Sequence, residues 1–193
     1  MRAITSEPRH DVPRAPVARP ALLGWLAALL WSTAAWSSGP PAVGRPAPAL
    51  VARAFDGQAI DLAALRGKLV VLNFWASWCG PCRSEMPALD ALARDYRDRG
   101  VVVIGLSADD RHDRKDALKA AQGLGYVTGM LAESPANDFG DPQVLPLTYI
   151  IGADGNVAAI LLPGRGPFSA AQLRAVVEAH LPGGAGAGPA SGH

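Results

Sequence analysis

Residues 69–75, Leu69-Val70-Val71-Leu72-Asn73-Phe74-Trp75, are apolar on both alternations of a strand except at Asn73. Such a run belongs inside a sheet covered on both faces, the usual setting of a parallel strand. It leads within three residues into Trp78-Cys79-Gly80-Pro81-Cys82, and then into a segment where Met86, Leu89, Leu92, Ala93 and Tyr96 recur at three- and four-residue spacing. That spacing predicts a helix over 81–99 with one core-facing stripe, bent at Pro87. Gly100 stops it, and Val101-Val102-Val103-Ile104-Gly105-Leu106 supplies the next buried strand. Strand, helix and strand make a βαβ unit with a right-handed crossover, so the rest of an α/β fold has to be built around it.

Cys79 and Cys82 are the only cysteines of the chain. A thiol at the first turn of a helix lies beside N–H groups that have no intrahelical partner, and at the positive end of the peptide dipole; both favour the thiolate. Cys79 is therefore the candidate nucleophile. Cys82, one turn along on the same face, is placed to attack a mixed disulfide formed at Cys79 and release the partner. Glu85 follows at the same spacing, where it serves either as a proton carrier for the Cys82 sulfur or as a solvated first-turn carboxylate favoured by the dipole. A disulfide that only closed this small ring would contribute about 2 kcal/mol. Zinc normally takes four protein ligands, whereas the pair supplies two and His10, His112, His180 and His193 are scattered. Soft thiolates leave transient Cu(I) binding open.

The stretch from Phe74 to Pro87, Phe-Trp-Ala-Ser-Trp-Cys-Gly-Pro-Cys-Arg-Ser-Glu-Met-Pro, resembles the active-site segment of the thioredoxin superfamily and, within it, of the TlpA-like family of bacterial extracytoplasmic thiol:disulfide oxidoreductases. The similarity runs from about residue 43 to about residue 181. It implies a thioredoxin-like α/β fold: a central mixed sheet flanked by helices, an N-terminal β-hairpin and an inserted βα element. It also implies that Pro146 follows a cis peptide bond beside the cysteine pair, with Leu145 offering its backbone to an extended substrate, and it strengthens the proton-carrier reading of Glu85. Trp78, Gly80 and Pro81 complete the implied substrate-binding set. Two departures stand out. Asn73 occupies the place of thioredoxin's buried aspartate, and Leu147 the place where relatives commonly have threonine directly after the proline.

With 193 residues, 49% of them hydrophobic, and a net charge of +1, the chain can bury one good core and carries no concentrated basic surface for nucleic acid. Residues 1–20, with Arg2, Arg9, Arg14 and Arg19 among prolines, read as a disordered cytoplasmic N-terminus. Residues 21–37 read as a signal peptide or a membrane anchor, because the apolar stretch falls between a signal-peptide core and the ~20 residues of a spanning helix. In either case the preceding arginines keep the N-terminus in the cytoplasm and send the cysteines to the periplasmic side of the inner membrane. Residues 38–48 read as a linker, 49–182 as the thioredoxin-like domain and 183–193 as a disordered Gly/Ala-rich tail.

Asp56-Gly57 predicts the turn of the N-terminal hairpin, and Asp154-Gly155 the turn between strands 147–151 and 157–162. A covering helix is expected over 109–122, capped by Asp109 or Asp110, then a strand over 129–132 and one helical turn over 136–140 as the inserted βα element. Ser169-Ala170-Ala171-Gln172 is a capping box opening a last helix. Trp75 reads as core packing, and His180 as a packed or surface residue.

The function these readings imply is dithiol/disulfide exchange at Cys79 and Cys82 without metal or cofactor. Protein disulfides are the substrates and a membrane thiol-transfer protein the electron donor; the resemblance points to apocytochrome c or copper-site assembly proteins as partners. The Gly80-Pro81 dipeptide resembles the reducing members, and the chain is expected to act as a monomer. A copper-binding assembly module using the same pair, or a peroxiredoxin-type peroxidase, are the competing readings.

Overall fold

The computed structural model describes residues 40–164 and 168–181. The readings for residues 1–37 and for the tail at 183–193 lie outside them. Among the described residues no helix is long and apolar enough to cross a membrane.

The run that anchors the sequence is β3, and its neighbours define the main sheet. Strand β1 (Leu50–Arg53) and strand β2 (Ala59–Asp61) precede β3 (Leu69–Trp75); β4 (Val101–Ser107), β5 (Val127–Met130), β6 (Ala136–Asn137), β7 (Leu147–Ile151) and β8 (Val157–Leu161) follow. The helices are α1 (Gly80–Tyr96), α2 (Arg114–Ala120) and α3 (Ala170–His180). Five strands lie in the order β5-β4-β3-β7-β8, with β3, β4 and β5 parallel and β7 and β8 antiparallel. All seven residues of β3 are buried, as its two-sided apolar pattern requires.

One face of the sheet packs Leu69, Val71, Val103 and Ile150 against Leu89, Leu92 and Tyr96 of α1 and Leu173 and Val177 of α3. The opposite face packs Val70, Leu72, Phe74 and Tyr149 against Leu50, Ile60, Leu62 and Phe139. The cover on that side is the small antiparallel sheet β2-β1-β6 and the loops beside it. Phe139 reaches the Phe74 and Tyr149 rings at 6.0 and 5.0 Å in tilted and edge-on contacts.

Both expected hairpins are present. Gly57 and Gly155 take φ of +89° and +76°, and the Asp56 and Asp154 carboxylates accept the N–H groups of Gln58 and Asn156. Four expectations are corrected. The helix expected over 109–122 is confined to α2 behind a 3-10 turn at Arg111–Asp113, and Asp109 does not cap it because its carboxylate is engaged elsewhere. The helical turn expected over 136–140 is replaced at its start by strand β6, whose two residues, Ala136 and Asn137, pair with Val51 and Leu50 of β1 at the sheet edge, and a two-residue segment has no helical stripe to bury. The strand expected over 129–132 begins two residues earlier, as β5. Finally, the end of the supposed linker is docked: Gly44 N–H donates to the Val157 carbonyl at 2.8 Å, Val157 N–H to Arg45 at 2.8 Å and Ala47 N–H to Gly155 at 3.0 Å, so residues 44–47 line the β7–β8 hairpin.

Candidate active site

The turn from β3 to α1 places the two sulfurs. Cys79 is the N-cap of α1, with extended backbone (φ −81°, ψ 101°), and Gly80 and Pro81 open the first turn. Pro81 loses nothing there, since the N–H it lacks would have no intrahelical partner. The Cys79 sulfur accepts the Cys82 N–H at 3.2 Å, and the Cys79 carbonyl accepts the Arg83 N–H at 3.1 Å. Cys79 and Cys82 are joined in a disulfide with Cα atoms 5.3 Å apart. Their exposures differ in the sense the chemistry needs: Cys79 keeps 6% of its surface and Cys82 only 2%. Helix α1 runs through Pro87 without a break.

Around the sulfurs lie Trp75, Ala76, Met86, Ala117, Ala121 and Met130, an apolar bed against which Leu145 also packs. Trp75 is fully buried and Trp78 is 70% exposed, so the two tryptophans of the motif take opposite roles, one in the core and one at the surface. The Leu145–Pro146 peptide bond is cis, as the resemblance implies. Among the described residues no backbone hydrogen bond involves Val144 or Leu145, so their N–H and C=O groups are unpaired. Leu147, the residue that departs from the family pattern, is buried in the core on the far face of the sheet.

Glu85 is 2% exposed and its Oε1 accepts the Phe168 N–H at 2.7 Å. Burial pushes its carboxyl above the ordinary glutamate range, and the Phe168 hydrogen bond offsets part of that rise. The solvated first-turn alternative does not describe it. Asn73, also buried, donates to Thr148 Oγ1 at 2.9 Å and so ties β3 to β7 beneath the helix.

Sequence reasoning missed Asp109. It is 1% exposed, and its carboxylate accepts the Ser77 N–H at 2.8 Å, the Ser77 hydroxyl at 2.7 Å and the Ser107 hydroxyl. Ser77 lies two residues before Cys79, so Asp109 fixes the loop that presents Cys79 from the end of the neighbouring strand. A Ser-x-Cys segment followed by an aspartate just past the next strand was the available signal. His180 bonds its own helix through Nδ1 and the Val176 carbonyl at 2.8 Å, away from this chemistry. Asp110, His112 and Asp113 bring ligand atoms within 4.8 Å of one another, but on the surface. The groups able to hold a soft metal at the site are the two sulfurs themselves.

A groove of about 390 Å³ is lined by Trp78, the neighbour of Cys79, together with Leu131, Ala132, Val144 and Leu145. The site therefore combines an N-capped sulfur, a second sulfur behind it, a buried carboxyl on the same helix and an unpaired backbone edge across a groove. This combination can accept an extended chain and exchange sulfur bonds with it.

A model of the AhpC/TSA family matches residues 43–160. The thiol-disulfide oxidoreductase ResA of Bacillus cereus is 33% identical over 125 residues, 60% of this chain and 66% of that protein. The thioredoxin-like protein YneN of Bacillus subtilis (strain 168) is 33% identical over 120 residues, 61% of this chain and 69% of that protein. The crystal structure of a thiol:disulfide interchange protein of the thioredoxin family from Chlorobium tepidum TLS superposes with a TM-score of 0.59 at 27% identity, covering 75% of this chain and 100% of that one. The chain thus spans just under two thirds, 66%, of the length of the Bacillus cereus relative. The thioredoxin-like fold implied by the sequence is the fold these comparisons give.

Proposed function

The chain belongs to the AhpC/TSA family, and on that premise we propose that it is an extracytoplasmic thiol:disulfide oxidoreductase that reduces disulfides in specific partner proteins through Cys79 and Cys82. The observation that carries this reading is the asymmetry of the pair: Cys79 is the helix N-cap and the more exposed of the two cysteines, next to Trp78 of the groove lining, with Cys82 more deeply buried.

The cycle begins with the reduced pair. The Cys79 thiolate, stabilised by the Cys82 N–H and the end of α1, attacks one sulfur of a substrate disulfide. A Cys79–substrate disulfide forms, and the other substrate sulfur leaves as a thiolate that takes up a proton. Cys82 then gives its proton to Glu85, attacks the Cys79 sulfur and expels the second substrate thiolate. Two electrons have passed to the substrate, and the protein is left in the disulfide state seen here. A dithiol donor, in our reading a membrane thiol-transfer protein, restores the pair. Trp78, Gly80, Pro81, Leu145 and Pro146 form the surface on which the substrate strand lies, and the relatives' names support thiol exchange as the chemistry. Cytochrome c maturation or copper-site assembly is the setting we propose, carried by the family resemblance, with the domain held or secreted on the outer side of the membrane by the N-terminal apolar segment.

The test is Cys82→Ser offered a disulfide-bearing protein. It should accumulate a mixed disulfide at Cys79 that dithiothreitol releases, while Cys79→Ser accumulates none. Equal trapping by both variants, or by neither, would remove the reading.

A further inference from the structure

The groove has a definite chemistry. Three of its eleven lining residues are aspartates and none is a lysine, arginine or histidine. Asp109 is consumed in holding the Ser77 loop, but Asp110 and Asp141 are exposed, and their carboxylates form no ion pair or hydrogen bond with any described residue. Of the basic residues next along the chain, Arg111 spends its Nε on the Ala132 carbonyl at the groove wall, at 2.9 Å, His112 pairs with Asp113 at 3.2 Å, and Arg114 pairs with Glu133 at 3.0 Å. The rest of the lining is largely apolar, with Trp78, Leu131, Val144 and Leu145 its largest apolar side chains and Gln143 its one uncharged polar side chain. Trp78 and Val144 are two of the few large apolar side chains that the described surface exposes, at 70% and 45%.

Each feature narrows the occupant. Unpaired backbone groups at Val144 and Leu145 ask for a partner that also has backbone N–H and C=O groups, which is an extended polypeptide. Exposed Trp78 and Val144 ask for apolar side chains on that strand. Two carboxylates without an ion pair, in a concave, partly apolar site whose lining holds no basic residue, favour lysine or arginine on the strand. An acidic strand would instead bring like charges together.

We infer that the groove between Trp78 and residues 141–145 selects extended substrate segments whose cysteine is flanked by apolar and basic residues, with Asp110 and Asp141 as the specificity-determining charges. This rests on the exchange function proposed above. It adds which protein disulfides are preferred, and it assigns that preference to residues outside the Cys-x-x-Cys motif.

The experiment uses the pre-reduced full-length chain in single turnover, with disulfide-linked peptides identical except for lysine, glutamine or glutamate beside the cysteine. The uncharged hydroxyethyl disulfide is a separate substrate that reports exchange itself. At about 20 mM salt the lysine peptide should react on the order of tenfold faster than the glutamate peptide, and the gap should close near about 500 mM as the charges are screened. In Asp110→Asn/Asp141→Asn the ratio of the two rates should fall to about one, and in Asp110→Lys/Asp141→Lys it should invert. Equal rates for the three peptides at low salt, or a preference that survives both double variants, overturns the inference while hydroxyethyl disulfide is still reduced. Failure to reduce hydroxyethyl disulfide as well as the peptides overturns the exchange function, and the inference with it.

Discussion

At the residue scale, Glu85 shows how burial perturbs an ordinary carboxyl. Its carboxyl is held above the usual range by desolvation, with only the Phe168 N–H opposing that. A raised carboxyl favours the folded state fully below the unfolded pKa, and that contribution is lost as pH rises through the folded value. Glu85→Gln keeps an oxygen for Phe168 but cannot ionise. Denaturant midpoints of the oxidised proteins should therefore coincide in acid, and the variant should gain on the wild type as pH rises toward neutral; a constant difference across pH would contradict this. In the proposed cycle Glu85 takes the Cys82 proton, so Glu85→Gln should also slow release of the mixed disulfide by about a hundredfold at neutral pH, measured by stopped flow. Asp109 makes the complementary case. Its replacement by alanine strips the Ser77 N–H and two hydroxyls of their acceptor and should cost about 2–3 kcal/mol in chemical denaturation, with Asp109→Asn costing less. The placement of Cys79, Cys82 and Glu85 at the start of one helix was legible because it follows from spacing along the chain. Asp109 was not, because its partner is 32 residues away and the same letter in that position also reads as a helix cap.

At the element scale, the site depends on elements that meet it from outside the motif. Helix α3 opens on a capping box in which Ser169 Oγ accepts the Gln172 N–H at 3.2 Å and Gln172 Oε1 accepts the Ser169 N–H at 2.9 Å. The residue before that box is Phe168, so the cap also orients the N–H that holds Glu85. Ser169→Ala should cost about 1 kcal/mol of stability, read from the thermal or denaturant transition. On the other side, Phe55 N–H donates to the Thr128 carbonyl at 2.7 Å where the N-terminal hairpin crosses β5, and a Cβ at Gly129 would collide with the Arg53 carbonyl. Gly129→Ala should destabilise by about 3 kcal/mol, because backbone has to move to accept it; an unchanged midpoint would show that the crossing is looser than described. The two hairpins and the capping box were readable from turn and cap residues alone. Strand β6 was not, since two residues carry no periodicity and what defines them is their pairing with β1.

At the scale of the whole molecule, one sheet separates two cores, and the sulfurs sit where β3 ends and α1 begins. The central βαβ unit was legible because β3 and β4 are apolar almost throughout, a pattern that only a doubly covered sheet satisfies. The groove was far less so. Its outer wall comes from residues 131–145, where the sequence pattern is weak and the chain is held by contacts with β1, Phe74 and Tyr149 rather than by local propensity. In the proposed cycle the arrangement as a whole makes one sulfur reactive and keeps the other in reserve. Its most direct test is the pH dependence of iodoacetamide alkylation at each sulfur of the reduced chain, resolved by peptide mass analysis. The account predicts that Cys79 reacts first and titrates below the ordinary thiol value of about 8.5, with Cys82 lagging at least about tenfold near neutral pH. Equal rates at the two sulfurs, or an unshifted titration of Cys79, would contradict it.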